Sequence, residues 1–394
     1  MGSAAQAVER ARRPMPGARL MALLIGCWAI AAPPGTAAAD PARGPVIDVH
    51  VHTAPSQYQL LADVLASTGI TRFVNLSGGV AGFGLERALK AAEPFEDRIA
   101  VCANVRWRDY AAPDFAARQV ALLEKAAALG ARCLKIPKVL GLGLPDPKDE
   151  SRLMAVDDPL LDPIWAAAGR LGLPVFIHTG DPKAFFEPLG PENERMDELG
   201  VHPEWSFADP KYPRRAELLA ARDRIVARHR GTVFVGVHFG NNPEDPEYVA
   251  RAMAEHPNLY LDLAARLPEI GRHDPARIRA IFEQFQDRIL FGTDLGFHRG
   301  GIMLGSVGKE QPRLLDIFWY YGVHFRWMES LDRQIQHPTP IQGRWRIDSI
   351  GLSDDVLAKV YRLNALRLIW GETAPGPQDA EAIELATGLA GFID

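Results

Sequence analysis

Cysteine is scarce in this 394-residue chain: three residues, too few to build a disulfide scaffold. Basic charge is not in excess either. Lys and Arg number 44 against 49 Asp and Glu, leaving a net charge of −5, which offers a phosphate backbone no attraction and excludes nucleic acid as a partner. No apolar run reaches the ~20 residues a membrane-spanning helix needs; the run at 20–32 (LMALLIGCWAIAA) stops well short. Beyond residue 45 there is no low-complexity segment and no internal repeat other than the alternation described below. What remains is 47% hydrophobic and 24% charged, the composition of a globular protein and not of a disordered or fibrous one.

The first 39 residues differ from the rest. Arg10, Arg12, Arg13 and Arg19 precede the short apolar run, Pro33-Pro34-Gly35 breaks it, and Ala37-Ala38-Ala39 offers a small-residue cleavage site before Asp40. This layout predicts a signal peptide over 1–39 and an exported, periplasmic or secreted protein with no transmembrane span in the mature chain. Two variants of that reading exist: Leu24-Ile25-Gly26-Cys27 resembles a lipoprotein box that would anchor Cys27, and Arg12-Arg13 resembles a twin-arginine signal. Cys102 and Cys133 lie in apolar, strand-like runs and read as buried free thiols, with a disulfide as the alternative in an oxidising compartment. Residues 371–394 read as a C-terminal tail.

From residue 46 a short apolar run, a polar loop and a helical stretch alternate. The predicted strands are 46–52 (VIDVHVH), 71–77, 99–105, 131–136, 174–178 (PVFIH), 232–238 (TVFVGVH), 259–264 (LYLDLA) and 288–294 (RILFGTD). They are rich in Val, Ile, Leu and Phe, as strands covered on both faces must be. The clearest helices are 114–129, 159–171, 213–229, 275–285 and 353–369, several opening after Pro or Asp, with Ser353 as a candidate cap. Eight such units predict a (β/α)8 TIM barrel over 46–370, with long insertions after strands 4, 5 and 8 (138–158, 179–212 and 295–352). An open doubly wound sheet would place a Gly-rich phosphate loop after the first strand, and His50-Val51-His52-Thr53 is not one. Ser77-Gly78-Gly79 and Gly82-Phe83-Gly84, after the second strand, read as a flexible loop.

His50 and His52 close the first strand, His178 the fifth, His238 the sixth and Asp294 the eighth. Side chains two apart share a strand face, and a barrel brings all these strand ends to one rim. Imidazole nitrogen and carboxylate oxygen suit Zn²⁺, and also Mn²⁺ or Fe²⁺. One cation would account for the whole set, including an inward Asp294 that is costly to bury alone.

These motifs, Asp48-Val49-His50-Val51-His52, Ile177-His178-Thr179, Val237-His238-Phe239-Gly240-Asn241 and Phe291-Gly292-Thr293-Asp294, together with 360–365 (VYRLNA), resemble the amidohydrolase superfamily, specifically its amidohydrolase-related (type 2) family. The resemblance covers 46–370. It implies that His50, His52, His178 and Asp294 hold a catalytic divalent metal. It also implies that His238 binds metal or stabilises the reacting group, and that Asp294 moves protons. Lys135 stands where binuclear members carry a carbamylated lysine. One ion is expected, two if Lys135 bridges. Pairing with a carboxylate, or binding a substrate's acid group, are the other readings of Lys135. The implied activity is metal-dependent hydrolysis of a C–N or C–O bond in a small amide, lactone or ester; the alternative is non-oxidative decarboxylation of an aromatic or unsaturated acid. Arg266, after the seventh strand, is the candidate carboxylate clamp, and Asn241 and Asn242 are candidates for orienting substrate or the loop itself. Glu194, Arg195, His202, Trp205, Phe207, His298 and Arg299 are further loop candidates, and Phe185, Phe186, Tyr212, Trp319, Tyr320 and Tyr321 suggest an apolar pocket wall. Subunit number is not legible, and a homo-oligomer stays open.

Overall fold

The first strand, β1 (Val46–Thr53), is buried along almost its whole length. This computed structural model describes residues 43–372, so the predicted signal peptide, Cys27 and the tail beyond Glu372 lie outside the described residues. Further strands follow at β2 (Ile70–Asn75), β3 (Ile99–Asn104), β4 (Cys133–Ile136), β5 (Val175–Ile177), β6 (Phe234–Gly236), β7 (Leu259–Asp262) and β8 (Ile289–Leu290). Beyond β8 the chain makes an antiparallel hairpin, β9 (Leu295–His298) and β10 (Gly301–Leu304). Hydrogen-bonded neighbours run β8-β7-β6-β5-β4-β3-β2-β1-β9-β10, all parallel up to β9. The ring closes between β8 and β1: the Val49 N–H donates to the Phe291 carbonyl at 3.0 Å, and the Asp294 N–H to the His50 carbonyl at 2.9 Å.

Each strand is followed by a helix: α1 (Tyr58–Ala66), α2 (Leu85–Ala92), α3 (Phe115–Ala128), α4 (Asp162–Arg170), α5 (Arg215–Arg228), α6 (Pro246–Glu255), α7 (Pro275–Gln284) and α8 (Leu314–Glu329). The fold is a (β/α)8 TIM barrel. The segment after strand 8 is only partly the insertion expected: it contains the β9–β10 hairpin and the eighth barrel helix itself. The stretch 314–329 (LLDIFWYYGVHFRWME) hides from periodicity because, besides the stripe formed by Ile317, Tyr320, Tyr321, His324, Trp327 and Met328, it buries Gly322, Val323 and Phe325 on other sides of the helix. Among the described residues no helix is long and apolar enough to cross a membrane. A closing helical segment begins at Asp354; Ser353 precedes it, but its hydroxyl makes no capping bond.

Two apolar layers hold the barrel together. The larger lies between strands and helices. The smaller fills the lumen, with Ile47, Val49, Val74, Ala100, Phe176, Val235 and Leu290 from different strands, and Leu366, Ile369 and Trp370 of the closing segment packed against them. Cys102 and Cys133 belong to this lumen layer, face each other across β3 and β4 with Cα atoms 4.4 Å apart, and are joined in a disulfide. This corrects the expectation of two free thiols: strand register, invisible in the sequence, sets them opposite one another.

His324 gives the fold a pH dependence. Its Nδ1 lies 2.8 Å from the Tyr320 carbonyl, its Nε2 has no partner, and burial pulls the imidazole down to about 4. Unfolded, the ring titrates near 6.5, so between ~6.5 and ~4 the unfolded chain binds the extra proton and stability falls as pH falls. The expected loss from this residue by pH 4 is about 3 kcal/mol, because each pH unit between the two midpoints is worth ~1.4 kcal/mol. Denaturation series on wild type and His324→Phe should show a flatter pH slope for the variant; equal slopes would refute the assignment.

Candidate metal centre

β1 carries two of the predicted ligands, and its local shape decides where they point. A register shift between Asp48 and Val51 interrupts strict alternation. Ile47 and Val49 pack in the lumen, and after the irregularity His50 and His52 are turned to the same centre, as a bulge permits. Outside the shift, the Asp48 carboxylate accepts from the Tyr321 hydroxyl (2.6 Å), the Thr293 hydroxyl (2.6 Å), the Thr293 N–H (3.2 Å) and the His50 N–H (3.0 Å). It thereby ties β1 to the end of β8 behind the two ligands.

Above the lumen layer the polar groups converge. His50 Nε2 and His52 Nε2 are 3.3 Å apart, and each lies 3.4 Å from Asp294 Oδ1. His238 joins them: one atom each from His50, His238 and Asp294 falls within 4.8 Å of the others. His178 packs edge-on to His238 with ring centroids 4.4 Å apart; its Nε2 is buried, 3.4 Å from Asp181 Oδ1 and without hydrogen-bond geometry. The outer nitrogens are committed. His50 Nδ1 is 2.7 Å from Asp262, His52 Nδ1 2.7 Å from the Ser77 hydroxyl, and His238 Nδ1 2.7 Å from the Ala264 carbonyl. The Gly-rich stretch read as a flexible loop therefore anchors a site imidazole through Ser77.

Electrostatics follow burial. Desolvation holds His50, His52 and His238 well below the ordinary imidazole value and pulls His178 to about 4, so all four are neutral. The same cause raises Asp294 to about 7 and Asp262 to about 6, against the pull of Lys135. Lys135, buried and with Nζ unpartnered, is lowered to about 8 by burial while Asp262 and Asp294 oppose the shift. Burial alone would raise Asp181; Lys138, His178 and Arg266 outweigh it and hold the carboxyl below its usual range.

Neutral imidazoles with inward nitrogens free and outward nitrogens locked, beside one carboxyl, are the donor set of a borderline divalent cation, and the locking partners are what fix ring orientation in such sites. The orphaned, buried His178 Nε2 is a further atom lacking the partner an ion would provide. The residues present fit a metal.

His178, Asp294 and His238 floor a cavity of about 160 Å³, walled by Lys138, Asp181, Phe185, Glu198, Trp205, Arg266, Met303, Gly305 and Ser306. Arg266, the expected clamp, lines this cavity; one Nη donates to the Ala265 carbonyl and the other lies 3.8 Å from Asp181. Asn241 does not line it: its amide is spent on backbone of the segment after β5. Arg195 is fully buried, paired with Glu198 and Glu269, and Glu194 pairs with Arg272 at the surface. His202 stacks on Trp205, Phe207 packs with Phe186 and Tyr212, and Tyr320 donates to the Thr293 carbonyl.

Asp262 went unnoticed in the sequence. It holds His50 Nδ1, the His238 N–H (2.7 Å) and the Ala264 N–H (3.1 Å) at once. The available signal was a carboxylate inside an apolar strand (LYLDLA), which must have donors around it. Also unforeseen is the backbone strain. His238, Phe239, Asn241, Ala265 and Asp294 all have φ between 55° and 64°. For residues with a Cβ this region costs roughly 1–2 kcal/mol each, and such strain gathers where side chains must be aimed.

A family model described as amidohydrolase matches residues 47–369. No curated protein matches the chain in sequence. Among solved structures it is similar to an uncharacterized TIM-barrel protein from Bordetella bronchiseptica (18% identity, covering 83% of this chain and 98% of that one, TM-score 0.49). It is similar also to a 2,6-dihydroxybenzoate decarboxylase from Rhizobium (15%, 83% and 99%, 0.46) and to a dihydroorotase from Campylobacter jejuni (12%, 84% and 85%, 0.45). With the family match running from the first barrel strand into the closing segment, the chain belongs to the amidohydrolase family.

Proposed function

We propose that this amidohydrolase is a metal-dependent hydrolase that cleaves a C–N or C–O bond of a small amide, lactone or ester. One observation carries the reading: His50, His238 and Asp294 place donor atoms within 4.8 Å of one another, His52 Nε2 adjoins His50 and Asp294, His178 packs on His238, and His178, His238 and Asp294 line a small cavity. His50, His52, His178 and Asp294 would hold the ion, with His238 as a further ligand or as a group facing the reacting carbonyl. Zn²⁺ suits this donor set best, and Mn²⁺ or Fe²⁺ also fit. The chemistry such an ion supplies is Lewis acidity, which polarises a carbonyl and brings the pKa of a water towards ~7.

The chain's own groups do the rest. Asp294 takes a proton from the attacking water at its carboxylate and returns it to the leaving group. Trp205 and Phe185 exclude bulk water from the cavity. Arg266, with most of its donors uncommitted, and Lys138, beside Asp181 at 2.5 Å, orient an acceptor-bearing substrate. The same pair of cations favours a second reading, decarboxylation of a carboxylic acid substrate, and measurement of released CO₂ against hydrolytic product separates the two. We further propose that the protein is exported: the leader pattern supports this, and a buried disulfide persists in oxidising compartments.

Elemental analysis of purified protein is expected to find about one divalent ion per chain, or about two if Lys135 is carbamylated and bridges. His50→Ala is expected to lose the bound ion while keeping its fold. Wild-type protein that takes up no ion and turns over fully in chelator would overturn the metal reading.

A further inference from the structure

β5 and β6 are paired only as far as Ile177 and Gly236. His178 lies one residue beyond that pairing and His238 two residues beyond it, so the strand ladder does not set the spacing of the two rings. The chain leaves β6 in an unusual course: His238, Phe239, Gly240 and Asn241 have φ of 57°, 56°, 63° and 55° in succession. Three of the four bear a Cβ, so contacts from elsewhere must hold the run in place.

Asp262 and the Ala264 carbonyl hold His238 itself; the contacts that tie the turn to the segment bearing His178 come from Asn241 and Arg215, which line no part of the cavity. Asn241 Oδ1 accepts the Thr179 N–H at 2.9 Å, and its Nδ2 donates to the Gly180 carbonyl at 2.7 Å, gripping the backbone next to His178. Arg215, at the start of α5, reaches both segments. Its Nε donates to the Asp181 carbonyl (3.0 Å), one Nη to Asn242 Oδ1 (2.7 Å), and the other to the Asn241 carbonyl (2.8 Å) and Glu244 (2.5 Å). The buried Arg222 supports the same turn by donating to the Gly240 carbonyl. The segment bearing His178 and the turn bearing His238 are thus stitched together beyond the end of the sheet.

We propose that Asn241 and Arg215 are positioning residues for the metal centre: they clamp the left-handed turn against the segment after β5 and so set the distance between the His178 and His238 imidazoles. This rests on the metal reading above, and deepens it by naming what determines ligand spacing. Without the clamp the turn can relax towards ordinary backbone angles, which swings His238 away from His178. Groups that orient ligands in this way are worth 10–100-fold in metal affinity.

The test uses full-length protein stripped of metal and titrated with Co²⁺, following visible absorption and affinity, with circular dichroism confirming the folded state. Asn241→Ala and the milder Arg215→Gln, at a partly exposed position, are each expected to bind Co²⁺ 10–100-fold more weakly than wild type and with altered visible bands. Arg215→Gln decides the matter if Asn241→Ala fails to fold. Folded variants with wild-type Co²⁺ affinity and spectrum would overturn the proposal. If wild type itself takes up no Co²⁺, it is the metal reading that fails. The clamp is then judged by imidazole NMR of the metal-free proteins: displaced His178 and His238 resonances in the variants uphold it, and unchanged ones refute it.

Discussion

Replacing Asp294 by Asn is expected to lower kcat by at least the 10²–10⁴-fold that general acid–base groups contribute, with the fold intact. The substitution is nearly isosteric. Asn tolerates the φ of 64° found at this position, and the N–H that donates to the His50 carbonyl is unaffected. What disappears is the carboxyl that lies 3.4 Å from both His50 Nε2 and His52 Nε2 and can take and release a proton. On the metal reading proposed above, the loss of an anionic ligand would also weaken ion binding, so the assay is run across a metal titration. A kcat that stays down at saturating metal isolates the proton-transfer role, whereas recovery to within tenfold of wild type would show that Asp294 serves only as a ligand. Thermal melting of the two proteins should differ little, because no packing changes.

The second large effect concerns stability. Cys102 and Cys133 close a loop with a sequence separation of 31 residues. On the chain-entropy model a loop of that length is worth roughly 3–4 kcal/mol. Cys102→Ala with Cys133→Ala is therefore expected to lower the unfolding free energy by that amount, with a corresponding fall in the denaturation midpoint, and slightly more where truncated side chains leave a void in the lumen layer. Thiol titration provides an independent check. Denatured, unreduced protein should show no thiol from either residue, and reduction should release two; Cys27 counts separately where the chain retains it. Two reactive thiols before reduction, or an unshifted midpoint, would rule the bond out. The bond sits one alternate position below Lys135 on β4, so the double substitution also tests whether the lumen layer supports the site above it.

The strand–helix alternation was legible because buried parallel strands need continuous apolar runs, and 99–105 and 174–178 have little else. His50, His52, His178 and Asp294 were legible for a related reason: polar residues closing such runs stand out, and a barrel has only one rim where they can meet. The helix at 314–329 was not legible because it is covered on nearly every side and carries no polar stripe. Asp262 was visible as a letter but not as a partner, since two of its three hydrogen bonds go to His50 and His238, far away in sequence. Asn241 was legible as a neighbour of His238 that orients either substrate or a loop; its amide is spent on the backbone next to His178, a choice local sequence does not make.

By itself the chain's order of residues determined the barrel and the identity of the groups at its mouth, because periodicity and the expense of burying a lone polar group act locally. Register, hand and reach belonged to the tertiary structure. The shift in β1 that turns both imidazoles inward, the pairing of Cys102 with Cys133, and the left-handed turn at His238 each depend on a partner far away in sequence, and no local preference encodes where such a partner will lie.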